Sequence, residues 1–167
     1  MQGWLDSLCG IYSIVNAESV VNDTSFDNSQ YIFNDIILYL SKKKMLKSII
    51  LNGIDHKWMS KIIYDVVYDR FSIVQTNKKN FSTVSMWWKD AHEFLLSDEK
   101  RAIILSLDGR EEHYTVIKQM SSKSLFLFDS GSYGGIKTIR RSSCKLKGYT
   151  KDDKYIIFPY QCWYLGE

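Results

Sequence analysis

A chain of 167 residues with 45% apolar and 14% aromatic content is the length of one domain and has ample material for a core, which excludes a disordered segment. Its net charge of +3, from 22 Lys and Arg against 19 Asp and Glu mixed along the sequence, argues against a nucleic-acid arm. Three cysteines, at 9, 144 and 162, are odd in number and contain no C-x-x-C pair, which excludes a zinc ribbon or redox dithiol and suits a reducing compartment.

The first element predicted is a buried helix over residues 9 to 22, with Ile11, Ile14, Val15, Val20 and Val21 among small side chains and Asp6 or Ser7 as its cap. A second helix is expected from Gln30 to Leu46, capped by Asn28 or Ser29, with Ile32, Ile36, Ile37 and Leu40 on one face. Lys42 to Lys44 read as its solvated C-terminal turn, and Gly53 breaks the pattern. From Asp55, the residues Trp58, Met59, Ile62, Ile63, Val66 and Val67 form another stripe ending near Arg70, followed by a short strand over Phe71 to Gln75. Thr83 to Leu96 makes a further helix, with Ser82 or Thr83 as cap.

The pattern then changes. Short β-branched and aromatic runs cover Arg101 to Leu107, Tyr114 to Met120, Leu125 to Phe128, Ile136 to Ile139 and Tyr155 to Phe158, separated by turn residues. Arg140 and Arg141 flank a surface turn, and the sole proline, Pro159, sits at a strand end where a missing N–H is tolerated. Helices first and strands second predict an α+β fold, with N-terminal helices packed on a twisted antiparallel sheet and one domain spanning residues 1–167.

Cys9 carries the chemistry of interest. A thiol at a helix N-terminus faces unpaired N–H groups and the positive end of the helix dipole, which favour a reactive thiolate. Such a nucleophile needs a base, and the base needs a third group to orient it. Of three histidines, His56 and His92 fall at structural or surface positions, whereas His113 opens a strand. The next strand ends in Asp129, and antiparallel pairing through a turn at Ser121 to Lys123 makes His113 and Asp129 neighbours. Asp129 would then either accept from the imidazole Nδ1–H or merely cap its Gly-rich turn. Gln2 offers an amide donor for an oxyanion, or is an exposed terminal glutamine.

The order of Gln2, Asp6, Cys9-Gly10 at an apolar helix, then His113-Tyr114-Thr115-Val116-Ile117 and Asp129-Ser130-Gly131, resembles the papain-like cysteine peptidases, closest to the bacteriocin-processing, double-glycine-leader type. That resemblance implies a papain-like fold with Cys9 as nucleophile, His113 as general base and acid, Asp129 as orienting carboxylate and Gln2 in the oxyanion hole. Trp4, Gly10 and Tyr114 are candidate cleft-lining residues.

The expected function is hydrolysis of a peptide or amide bond through a thioester, with a peptide or protein as substrate. Alternatives are a glutamine deamidase or acyltransferase effector on the same fold, and a binding module that has lost turnover. No metal, cofactor, nucleic-acid or membrane partner is expected, and oligomeric state is left open. With no signal-like N-terminus and no run of roughly 18 apolar residues, a cytoplasmic product is expected, although delivery as an effector would leave no mark. The Trp87-Trp88 pair and the run 158–164 read as core packing; Cys144 and Cys162 read as bystanders.

Overall fold

The structure, a computed structural model, describes residues 7–76, 79–110, 112–129, 135–146 and 154–167. They form five α-helices and an open sheet of eight strands, an α+β architecture. Helix α1 (Cys9–Asn22) buries Ile11, Ile14, Ala17 and Val21, and Asp23 ends it in the left-handed conformation. Its one buried carboxylate, Glu18, faces Arg70 at 3.7 Å and Asn22 at 3.4 Å.

Helix α2 (Phe26–Lys42) starts four residues before the expected Gln30, because Ser25 is the cap and accepts from the Asn28 N–H at 3.5 Å. Its buried stripe of Ile32, Ile36 and Leu40 is the expected one. It also stops earlier than the expected Leu46: Lys44 turns the chain at φ 59°, and α3 (Leu46–Asn52) forms beyond, where no element was expected. Gly53, at φ 80°, closes α3. Helix α4 (His56–Ile62) is capped by Asp55, which accepts from the Trp58 N–H at 2.8 Å, and its stripe continues to Arg70 through one π turn and one 3₁₀ turn.

Strand β1 (Ile73–Thr76) precedes α5 (Val84–Leu96), whose cap is Thr83. Strands β2 (Arg101–Gly109), β3 (His113–Met120), β4 (Ser124–Phe128), β5 (Thr138–Arg140), β6 (Cys144–Leu146), β7 (Tyr155–Ile157) and β8 (Trp163–Gly166) complete the sheet. Its order is β1-β8-β2-β3-β4-β5, with β7 pairing the end of β2 and β6 pairing β7. All pairs are antiparallel except β6 with β7, so the sheet departs at that edge from the antiparallel expectation.

Two further strands escaped the sequence reading. The final strand was expected at residues 155–158, yet β8 lies inside the sheet between β1 and β2, so Cys162 precedes the last strand and does not follow it.

Alternation along β2 divides the core. Ala102 and Ile104, with Val116, Trp163 and Leu165, meet α1 to α4 on one face. Ile103, Leu105 and Leu107, with Ile117 and Tyr164, meet α5 on the other. The helices therefore cover both faces, whereas the sequence order had suggested a single helical layer. Trp87 and Trp88 are buried in the second face, edge to face at 6.0 Å, as packing residues.

Candidate active site

Cys9 is the first residue of α1 and half-buried. The expected cap is corrected here: Leu8 holds the N-cap position and makes no side-chain cap bond, because the Ser7 backbone is drawn away by its N–H to the Ile50 carbonyl at 3.2 Å. Asp6, the other candidate, lies outside the described residues, as do Gln2 and Trp4. An α-helix leaves its first-turn N–H groups without intrahelical acceptors, and here no described side chain caps them beside the Cys9 sulfur.

Gly10 fixes where that helix end sits. A Cβ at this position would stand 2.2 Å from Ile54 Cγ2 and 2.7 Å from Met59 Sδ, and 3.4 Å from the Tyr114 ring. Gly10 is buried in this contact, so it belongs to the packing beneath the site, whereas the sequence had suggested a cleft-lining residue. Tyr114 is half-buried across from it. Burial, with the charges of Cys9 and Asp55 nearby, pushes its phenol up to about 12 against a lowering hydrogen bond with Ser106. The Ser106 hydroxyl in turn donates to Gln161 Oε1 at 3.2 Å. This polar chain joins β3, β2 and the turn before β8, and residue spacing gave no hint of it.

His113 begins β3 opposite Leu107 of β2, and Asp129 follows the last residue of β4. Val116 pairs with Phe128, so the two strands bring His113 and Asp129 to the same end of the sheet. His113 Nε2 lies 2.6 Å from Asp129 Oδ1. The expected neighbours are therefore together, but through Nε2 and not Nδ1. Cys9 lies near enough to the same imidazole to help raise its pKa.

Burial alone would pull the His113 pKa down; the hydrogen bonds to Asp129 and Cys9, and their charges, outweigh it and raise the pKa to about 10. Burial would likewise raise Asp129, yet the bond and charge of His113 hold its carboxyl below the usual range.

Asp129 does more than cap a turn. Its second oxygen, Oδ2, accepts from the Ile136 N–H at 2.8 Å, so each carboxylate oxygen has a fixed donor. Gly135 makes this possible: its φ is +43°, and a Cβ there would lie 2.7 Å from Asp129 Oδ2. Gly135 is marked by this positive φ and close approach, which a Gly-rich sequence does not announce; residues 130–134 lie outside the described residues. Asn16 of α1 donates from Nδ2 to the Phe128 carbonyl at 3.4 Å, linking the cysteine's helix to the residue before Asp129.

The remaining candidates stand apart from this set. His56, at the start of α4, stacks against Trp163 at 4.6 Å, and burial lowers its pKa despite Asp55. His92 lies on α5, which packs on the opposite face of the sheet. Cys144 and Cys162 are buried, and burial pushes both thiols up to about 12, outweighing the lowering charge of Lys154 at Cys144.

Among the described residues no three His, Cys, Asp or Glu side chains gather as a metal site, and no helix is long and apolar enough to cross a membrane. No protein-family model matches the chain, and neither does any curated protein or solved structure.

Proposed function

We propose that the protein is a cysteine-dependent hydrolase of papain-like type, acting on a peptide or amide bond through Cys9, His113 and Asp129. The observation that carries this reading is the ring of His113, held by Asp129 through Nε2 at 2.6 Å with Cys9 near enough to help raise its pKa. With its pKa raised to about 10, His113 carries the proton at neutral pH. The Cys9 sulfur then attacks the carbonyl carbon as a thiolate, forming the C–S bond and a tetrahedral oxyanion.

As the tetrahedral species collapses, the C–N bond breaks and His113 gives its proton to the departing amine. Water next attacks the thioester; His113 takes a proton from it, and the C–S bond breaks to release the acid and restore the thiolate. Asp129 keeps the ring oriented and stabilises its charged form throughout. The backbone N–H of Cys9, at the helix end, supplies a donor for the oxyanion, with the Gln2 amide proposed as the second.

Cys9→Ala is expected to abolish turnover and leave the fold intact; a variant with wild-type turnover overturns the assignment. Peptide libraries and folded proteins are the substrates to offer, read by intact-mass spectrometry. Fragments mark hydrolysis of the backbone, whereas a gain of about one mass unit without cleavage marks attack on a glutamine side chain by the same thioester chemistry. Neither product under any condition, with Cys9 unreactive toward iodoacetamide, leaves a binding module as the better reading.

A further inference from the structure

At the other end of β3, the turn 121–123, the end of β5 and the N-terminus of α5 border an open, solvent-facing cavity of about 700 Å³. That volume is typical of a small-molecule site. Its wall carries Lys123, Arg140 and Arg141 together with Ser122, Ser124 and Ser142. No described carboxylate lines it.

Three cations lining one cavity with no acid among them make a surface that favours an anion. Among the described residues neither Lys123 nor Arg140 has an ion-pair partner. Arg141 is the fixed member. Its guanidinium donates to Ser85 Oγ and to the Ser122 carbonyl and lies 5.9 Å from the Trp88 ring, all neutral partners that leave its charge uncompensated.

The surrounding backbone is equally set. Arg141 N–H donates to the Lys123 carbonyl at 2.8 Å, and the Ser121 hydroxyl accepts from the Ser124 N–H at 3.0 Å, so turn and strand end are tied together. Helix α5, which is 13 residues long, directs the positive end of its dipole from Val84 into the same cavity.

We infer that this cavity is a binding site for a small polyphosphate anion, held by Lys123, Arg140 and Arg141 with serine hydroxyls as neutral donors. Guanidinium groups suit phosphoryl oxygens because they donate in a planar fork, and a multiply charged anion matches three cations in a cavity too large for a single small ion. The site lies about 23 Å from the start of β3 at His113, by the rise of an extended strand. It is thus separate from the proposed active site and does not depend on that reading.

The test is calorimetric titration of the whole chain with sodium tripolyphosphate, against sodium chloride at equal ionic strength. Saturable binding at one site is expected, weakened about tenfold in each of Lys123→Gln and Arg140→Gln, the factor of a charge-assisted hydrogen bond. Both side chains are exposed, so neither change disturbs the core. Lys47→Gln, an exposed charge on α3, should leave the affinity unchanged. The inference is overturned by absence of saturable binding, by unaltered affinity in both cavity variants, or by equal weakening in Lys47→Gln, which would mark binding to overall charge.

Discussion

Gly10→Ala isolates the demand that the cysteine's helix makes on its surroundings. In an exposed helix interior this change gains about 1 kcal/mol, because alanine loses less backbone entropy than glycine. At Gly10 the new methyl would sit 2.2 Å from Ile54 Cγ2 and 2.7 Å from Met59 Sδ, inside any real contact distance. Met59 is fully buried and Ile54 nearly so, and neither is free to swing into solvent. Two contacts that short place the repacking cost in the upper part of the usual range, about 2–3 kcal/mol, or more where backbone must shift, which outweighs the helix gain.

A net loss of about 1–2 kcal/mol is therefore expected, lowering Tm by roughly 2–8 °C for a chain of this size. If α1 retreats by about 1 Å to accommodate the methyl, Cys9 leaves its alignment with His113 and turnover falls by about 100-fold. Thermal unfolding followed by circular dichroism measures the first effect. The pair Gly10→Ala and Ile54→Ala in a double-mutant cycle measures its origin, with a favourable coupling of about 1 kcal/mol or more as the new methyl enters the vacated space. An unchanged or raised Tm, or strict additivity with Ile54→Ala, would refute the packing argument.

Gly135→Ala should act on Asp129 from the other side: its φ of +43° and the 2.7 Å approach to Oδ2 leave no room for a Cβ, so kcat should fall together with a loss of about 1–3 kcal/mol of stability, read by chemical unfolding. Asp129→Asn should move the His113 pKa down from about 10, which two-dimensional NMR of the imidazole would follow; a ring titrating as in the wild type would contradict the pairing. Because that pKa lies above the ordinary 6.5, the pair's stabilisation should be complete below pH 6.5 and fade as pH rises toward 10. The lowered Asp129 pKa sets the opposite limit, with stabilisation lost as pH falls below 3.8, so stability curves against pH for wild type and Asp129→Asn should differ most between these limits. Iodoacetamide at pH 7 should label Cys9 far ahead of Cys144 and Cys162, whose values of about 12 leave thiolate fractions of about 10⁻⁵; peptide mapping that finds label on either buried cysteine first would refute this order.

The residues that sequence exposes most clearly are those whose relation is local or passes through one turn. Helix α1 was readable to its ends because its apolar spacing is self-contained, and His113 with Asp129 because one antiparallel turn fixes which strand ends meet. Strand β8 was hidden: Trp163 to Gly166 find their partners in β1 and β2, some sixty to ninety residues earlier, a pairing for which no short-range signal exists. The Nε2 contact was hidden for another reason. Strand order brings two side chains together, but the ring nitrogen that meets the carboxylate depends on rotamers, and these are decided by what else must be bonded. Here the Ile136 N–H takes Oδ2 of Asp129, leaving Oδ1 to face His113 Nε2. A site of this kind is legible in its membership before it is legible in its geometry, and its geometry rests on a backbone amide and a glycine whose role no residue type announces.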